Sequence, residues 1–235
     1  MSAVMLHGVA PAGIPHPRDA IPHRRVALGA LSALVTPLSA ASSETEVETA
    51  QIDGAMDHHQ LLTSYCRIGD VLPVRYGTAF SSERELAQEL SSAQAPLTAG
   101  MKRLEGCVEY SLAFVARALD GPETSAVPEK TPSRGRTYIQ GRRERRDWRR
   151  SLAEARADFV ADVVGRVSLL GRDAEWVEGT SGRALAKGTL LIERTNAKSM
   201  QDLLCASAAK ASSLALTIRV VGPGPCYSFA KADLR

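Results

Sequence analysis

The chain has 235 residues, 44% of them hydrophobic and 23% charged, with a formal net charge of +3. Such a chain buries a core without staples, and its net field is too weak to argue for nucleic acid or an anionic membrane as a partner. The four cysteines, Cys66, Cys107, Cys205 and Cys226, form no CxxC pair and have no histidine at zinc-site spacing, so reduced thiols are expected rather than a disulfide scaffold or a metal site.

Taken in chain order, MLHGVA is a short apolar run and the first predicted strand. The proline- and glycine-rich PAGIPHPRDAIPH reads as a loop. HRRVALGALSALVTPLSAAS imitates a targeting signal, but it begins more than twenty residues into the chain and its apolar run is broken by Gly29 and Ser32. Two strands, RRVAL and LSALVTPL, turning at Gly29-Ala30, account for it better. The polar stretch Ser42 to Thr49 suits a helix start. Ile52, Met56, Leu61, Leu62 and Tyr65 then recur at helical spacing and predict one inward stripe.

VLPVRYG is too short and too β-branched for a helix, and Pro73 confines it to an edge strand or a bulge. After Gly77, SSERELAQELSSAQAPLTAGMKRLEG reads as helix, with Ser82 and Glu85 at capping-box spacing and Pro96 dividing or kinking it. CVEYSLAFVAR alternates as a strand, with Val108, Tyr110, Leu112 and Phe114 on one face. A polar link over 121–135 follows. A long helix then runs from Thr137 to about Leu170, with Trp148, Leu152, Ala155, Phe159, Val163 and Val167 in a stripe. AEWVEG and ALAKGTLLIER read as strands, SMQDLLCASAAKASS as a helix with Met200, Leu203 and Leu204 inward, and SLALTIRVVG as a last strand.

The second half therefore reads β-α-β-β-α-β, the ferredoxin-like split βαβ order, with an antiparallel sheet and both helices on one face. The fold class expected is α+β in two domains, residues 1–106 and residues 107–235.

Catalytic patterns are missing. There is no GxSxG, HExxH, P-loop or dinucleotide fingerprint. Asp57, His58 and His59 are adjacent on a predicted helix, where neighbours point apart, so they read as a solvated face. Glu105 and Glu109 have no sign of a cleft between them. The run GRRERRDWRR holds Arg142, Arg143, Arg145, Arg146, Arg149 and Arg150. With Tyr110 and Phe114 on a strand, it raises the alternative of a ferredoxin-like RNA-binding module using the basic helix. No matching aromatic signature occurs, and a solvated or protein-docking helix face is the better reading. No catalytic residue, metal ligand, cofactor site, nucleic-acid partner or membrane span is expected.

Two motifs say more together. VLPVRYGTAF (71–80) resembles the LP-V/L-R-F-G-T segment of the gas vesicle protein F/L family, and VVGPGPCYSFA (220–230) resembles that family's G-P-W-P-P-Y-S-F ending. LSALVTPL, a histidine at 58 or 59, LEGCVEYSLAFV, GRTYIQGRR and GTLLIER agree in order, so the resemblance runs from about residue 24 to 230. Tyr76 stands for a phenylalanine, Gly224 for a tryptophan and Cys226 for a proline. The resemblance implies a non-enzymatic accessory protein of gas vesicle assembly, cytoplasmic and vesicle-associated. It implies two α+β domains, the second a modified ferredoxin fold, and binding to the hydrophobic shell protein or to other accessory proteins.

The residues singled out are structural. Pro73, Arg75, Tyr76, Gly77 and Thr78 form a joint in which a partly buried Arg75 needs a carboxylate, with Glu109 the expected partner. Gly222, Pro223 and Pro225 are expected to break regular structure. Tyr227 and Phe229, two apart in an extended tail, are then expected to pack together into one apolar groove on the first domain or at the junction.

Overall fold

The computed structural model describes residues 3–38, 44–118, 134–179 and 183–230. The link read over 121–135 lies outside these residues except for its last two, which open a helix. The fold is α+β with antiparallel sheets. The chain forms two compact units, one of Met1–Tyr110, Leu191–Arg194 and Gly222–Arg235, the other of Ser111–Leu190 and Thr195–Val221.

In the first unit, strands β1 (Val4–Pro11), β2 (Arg24–Leu28), β3 (Leu31–Pro37) and β4 (Leu72–Pro73) lie in the order β2-β3-β1-β4, and β5 (Ala79–Phe80) also pairs with β1. The hairpin β2–β3 turns at Gly29, whose φ of 66° is the left-handed region that glycine enters without a Cβ clash. β1 is the buried centre, and Val4, Leu6, Val9 and Ala10 are fully inaccessible. β4 holds Pro73 at the edge of the sheet path, where a missing N–H costs no ladder bond.

The β1–β3 register slips between Leu6 and Gly8, so His7 sits at an irregularity of the ladder. Such a bulge re-aims its side chain. The next residue, Gly8, has no room for anything larger: a Cβ there would lie 2.8 Å from both the Leu72 carbonyl oxygen and Leu62 Cδ2.

Three helices cover this sheet. α1 (Glu44–Ile68) buries Leu61, Leu62 and Tyr65. The predicted stripe fails at its start: Ile52 and Met56 are 60% and 67% exposed. The inward face is instead continued by His58. α2 (Glu83–Ser92) is capped as expected, the Glu85 N–H donating to Ser82 Oγ over 3.2 Å, and buries Leu86 and Leu90. α3 (Gln94–Leu104) buries Leu97, Met101 and Leu104. The break falls at Ala93 rather than at Pro96, because a proline ring clashes with the carbonyl four residues back and sits comfortably in a helix's first turn. Each such leucine contributes about 1.5–3 kcal/mol by burial.

The second sheet contains β6 (Cys107–Ala116), β7 (Gly171–Glu178), β8 (Ala184–Glu193) and β9 (Leu216–Gly224) in the order β7-β8-β6-β9. β8 thus lies between β6 and β7, the strands joined through α4 (Arg134–Ser168), which is the split βαβ arrangement. Val108, Tyr110, Leu112 and Phe114 are all buried, as their alternation predicts. α4 buries Phe159, Val163 and Val167, whereas Trp148, Leu152 and Ala155 are half-buried. α5 (Ala197–Ser213) packs on α4 and buries Met200, Leu204, Ser207 and Ala211, with Leu203 half-buried. Arg156 of α4 donates to the carbonyls of Leu214 (2.8 Å) and Ala215 (3.3 Å), which tie down the end of α5.

Gly8 supplies a direct test of the β1 packing. Gly8→Ala should lower stability by about 1–3 kcal/mol, because backbone and a packed leucine both stand where the methyl must go. Gly13→Ala, with nothing within 4 Å, should leave the melting curve unchanged.

Candidate functional site

Residues 71–80 of the first motif and 222–230 of the second belong to the first unit, and both stretches reach α1. Leu72 and Pro73 pair with Val9 and Gly8, and the Val74 N–H donates to the His7 carbonyl over 3.1 Å. The chain then turns. Gly77 takes φ 89°, and the Thr78 N–H and hydroxyl both donate to the Arg75 carbonyl, at 3.3 and 2.7 Å. Leu6 N–H donates to the Thr78 carbonyl, which returns the segment to β1. Tyr76 lies edge-on to His58, and its hydroxyl occupies the space left by the missing Cβ of Gly54.

Arg75 corrects an expectation. The turn carries it outward, it is exposed, and it forms no ion pair among the described residues. Glu109 does something else: its carboxylate accepts the Ser228 N–H at 2.8 Å and the Ser228 hydroxyl at 3.0 Å. Arg194 bridges segments of this unit. It donates to the Gly69 carbonyl (2.8 Å), approaches Asp70 (3.7 Å) and lies 3.9 Å from Cys66 Sγ. Asp70 in turn accepts the Gly106 N–H at 3.0 Å.

The C-terminal motif also departs from expectation. β9 runs through Gly222 and Pro223 to Gly224, because an edge strand tolerates proline. A Cβ at Gly222 would lie 2.7 Å from the Glu109 carbonyl, so this strand needs glycine there. Beyond Pro225 the chain turns instead of extending, and the Tyr227 N–H donates to the Pro225 carbonyl at 2.9 Å. Tyr227 and Phe229 therefore do not share a groove. Phe229 and Cys226, three apart, enter the core with β1, while Tyr227 is 37% exposed. Tyr227 stacks on His58 and His59, with its hydroxyl 3.3 Å from His59 Nδ1.

At the centre of this arrangement lie two buried histidines. His7 Nδ1 and His58 Nδ1 are 3.1 Å apart, and His7 Nε2 is 2.9 Å from Thr36 Oγ1. His58 is thus part of the core rather than of a solvated face, whereas Asp57 and His59 are exposed. Burial first, then the facing His58 and His23, hold His7 down to about 4. Burial first, then His59, hold His58 down to about 4 as well, against a smaller opposing pull from the Val74 backbone. Both rings are neutral near pH 7, so one donates its proton to the other. Burial pushes the Cys226 thiol and the Tyr227 hydroxyl upward, and neither is an activated nucleophile.

All four cysteines are free, three of them buried. Among the described residues no group of three His, Cys, Asp or Glu side chains is arranged to hold a metal ion. No described helix is long and apolar enough to cross a membrane. Tyr110 and Phe114, the residues needed to stack bases in an RNA-binding reading, are 2% and 0% exposed and face the core. Sequence reasoning missed His7, Arg194 and Ser228. The one available signal was a polar residue in an apolar strand, His7 inside MLHGVA.

The fold is shared with solved gas vesicle proteins. The crystal structure of gas vesicle protein GvpF from Anabaena sp. PCC7120 matches with a TM-score of 0.68 at 15% identity, covering 98% of this chain and 97% of that one. The crystal structure of GvpF from Microcystis aeruginosa matches with a TM-score of 0.67 at 17% identity, covering 98% of this chain and 100% of that one. No curated protein sequence matches. The sequence model of the family described as "Gas vesicle synthesis protein GvpL/GvpF" matches residues 7–231, and the chain belongs to that family.

The histidine pair makes stability depend on pH. Unfolded histidine titrates near 6.5 and the folded pair near 4, so the unfolded chain binds more protons across that window. Stability should be full above about pH 6.5 and fall on the order of a few kcal/mol as pH drops towards 4. Urea unfolding at stepped pH measures this, and the His7→Asn/His58→Asn variant should give a flatter profile across the same range.

Proposed function

We propose that this chain is a non-enzymatic accessory protein of gas vesicle assembly, working in the cytoplasm at the growing vesicle by binding the hydrophobic shell protein, other accessory proteins, or both. The observation that carries this reading is the family match over residues 7–231. The chemistry of the motif residues supports a binding role. Glu109 and Thr78 use their polar atoms on the chain's own backbone and Ser228, and the buried histidines face each other. None is paired with an activated nucleophile. A shell protein that assembles through apolar surface needs that surface covered until it reaches the wall.

The test has two arms. Deletion in the native host, scored by phase-contrast microscopy, should abolish or deform vesicles. Co-expression with the shell protein and each accessory protein, followed by pull-down of this chain, should recover at least one of them. Normal vesicles in the deletion strain together with no recovered vesicle protein would overturn the reading.

A further inference from the structure

The second unit carries an open apolar groove, of about 720 Å³, between α4 and the β7 and β8 strands. Ala153, Ala157, Val160 and Val164 of α4 form its floor, with Val177 and Leu185 opposite. Val177 is 64% exposed and Leu185 36%. Trp176 forms a fixed wall. Its indole N–H donates to Ser168 Oγ at 2.9 Å, and its ring lies where Gly188 has no Cβ. The alanines let another helix approach closely, since interaxial distance follows the size of the side chains at the contact.

The groove does not end where its apolar residues do. At the three- and four-residue spacing of one helix face, the line through Ala153, Ala157, Val160 and Val164 continues backwards to Arg149 and Arg146. Both arginines are exposed, as is Arg143 beside them. Glu144 and Asp147 fall on other faces by the same spacing, and Glu154 is engaged by Arg150 at 3.0 Å. From Arg146 to Val164 the face spans about 27 Å, basic in its first third and apolar after it. Glu178, on the opposite wall, is the acidic residue that lines the apolar part.

We infer that this face docks an amphipathic protein helix with acidic residues in its first turns and a small-to-medium apolar stripe after them, lying parallel to α4. Charge complementarity selects this partner. Acidic turns placed against Arg146 and Arg149 set direction and register, while the apolar stripe fills the groove. The inference deepens the reading that the chain works by binding proteins, and it gives that reading a surface.

The probe is a fluorescein-labelled synthetic helix of about 18 residues, long enough for the face. It carries glutamates in its first two turns and alanine and leucine at groove positions. A second peptide carries lysines in place of the glutamates. Anisotropy titration of the full chain should give binding of the acidic peptide at least tenfold tighter than that of the basic one. The preference should shrink as salt rises. Arg146→Glu/Arg149→Glu should reverse the preference, and Ala157→Glu should weaken both peptides at least tenfold, with unchanged circular dichroism and melting in each variant.

Equal affinity for the two peptides, or undiminished binding by Ala157→Glu, would overturn the inference. So would sedimentation showing that the wild type dimerises and Ala157→Glu does not, with no peptide bound, since the face would then belong to a second copy. Pull-down of vesicle proteins run alongside separates the two readings. Recovery without peptide binding removes the groove and keeps the proposed function, and peptide binding without recovery does the reverse.

Discussion

The grip of Glu109 on Ser228 links residues 119 apart in sequence and brings the end of the chain into the first unit. Two hydrogen bonds to one carboxylate are charge-assisted, each worth about 1.5–3 kcal/mol where the group is sheltered. They matter for what they position. With Ser228 held, Cys226 and Phe229 join the core built by Val4, Leu6, Val9 and Leu72. With it released, a half-buried carboxylate loses these two donors. Cys226 and Phe229 of the C-terminal motif are therefore pieces of the first unit's interior.

The same unit shows how a small irregularity is shared among elements. His7 sits where the β1 ladder slips, so its ring meets Thr36 and His58. His58 then meets Tyr76 from one motif and Tyr227 from the other. Gly54 and Gly8 make room, the first for the Tyr76 hydroxyl, the second for the Leu72 carbonyl and Leu62. The stretches that carry the sequence resemblance are thus neighbours of one helix, and Tyr76 and Tyr227 meet it through His58.

Local signals were legible in the sequence. The hairpin at Gly29, the Ser82 cap and the alternation of β6 follow from period, capping and turn chemistry, each set within a few residues, and the order of the second sheet follows from the β-α-β-β-α-β succession of its elements. Pro73 at an edge was legible for the same reason. Partners were not. Its place after an apolar run predicts a carboxylate partner for Arg75, but Gly77 lets the backbone turn it out to water. Arg194 and Ser228 gave no local sign, since what they touch lies 125 and 119 residues away. Ile52 and Met56 fit the period of α1, yet period alone does not say which turns of a helix have anything to pack against. The two prolines of the last motif suggested an extended tail. An edge strand accommodates Pro223, and the turn after Pro225 exchanges the expected pair Tyr227 and Phe229 for Cys226 and Phe229.

Thermal unfolding of a chain ending at Gly224, set beside the full-length chain, tests the central claim most directly. Removing Cys226, Ser228 and Phe229 from the core should lower Tm by roughly 10 °C, since loss of a buried phenylalanine alone costs about 3–5 kcal/mol. A superimposable melting curve would contradict the account and make residues 225–230 an appendage of a core complete without them.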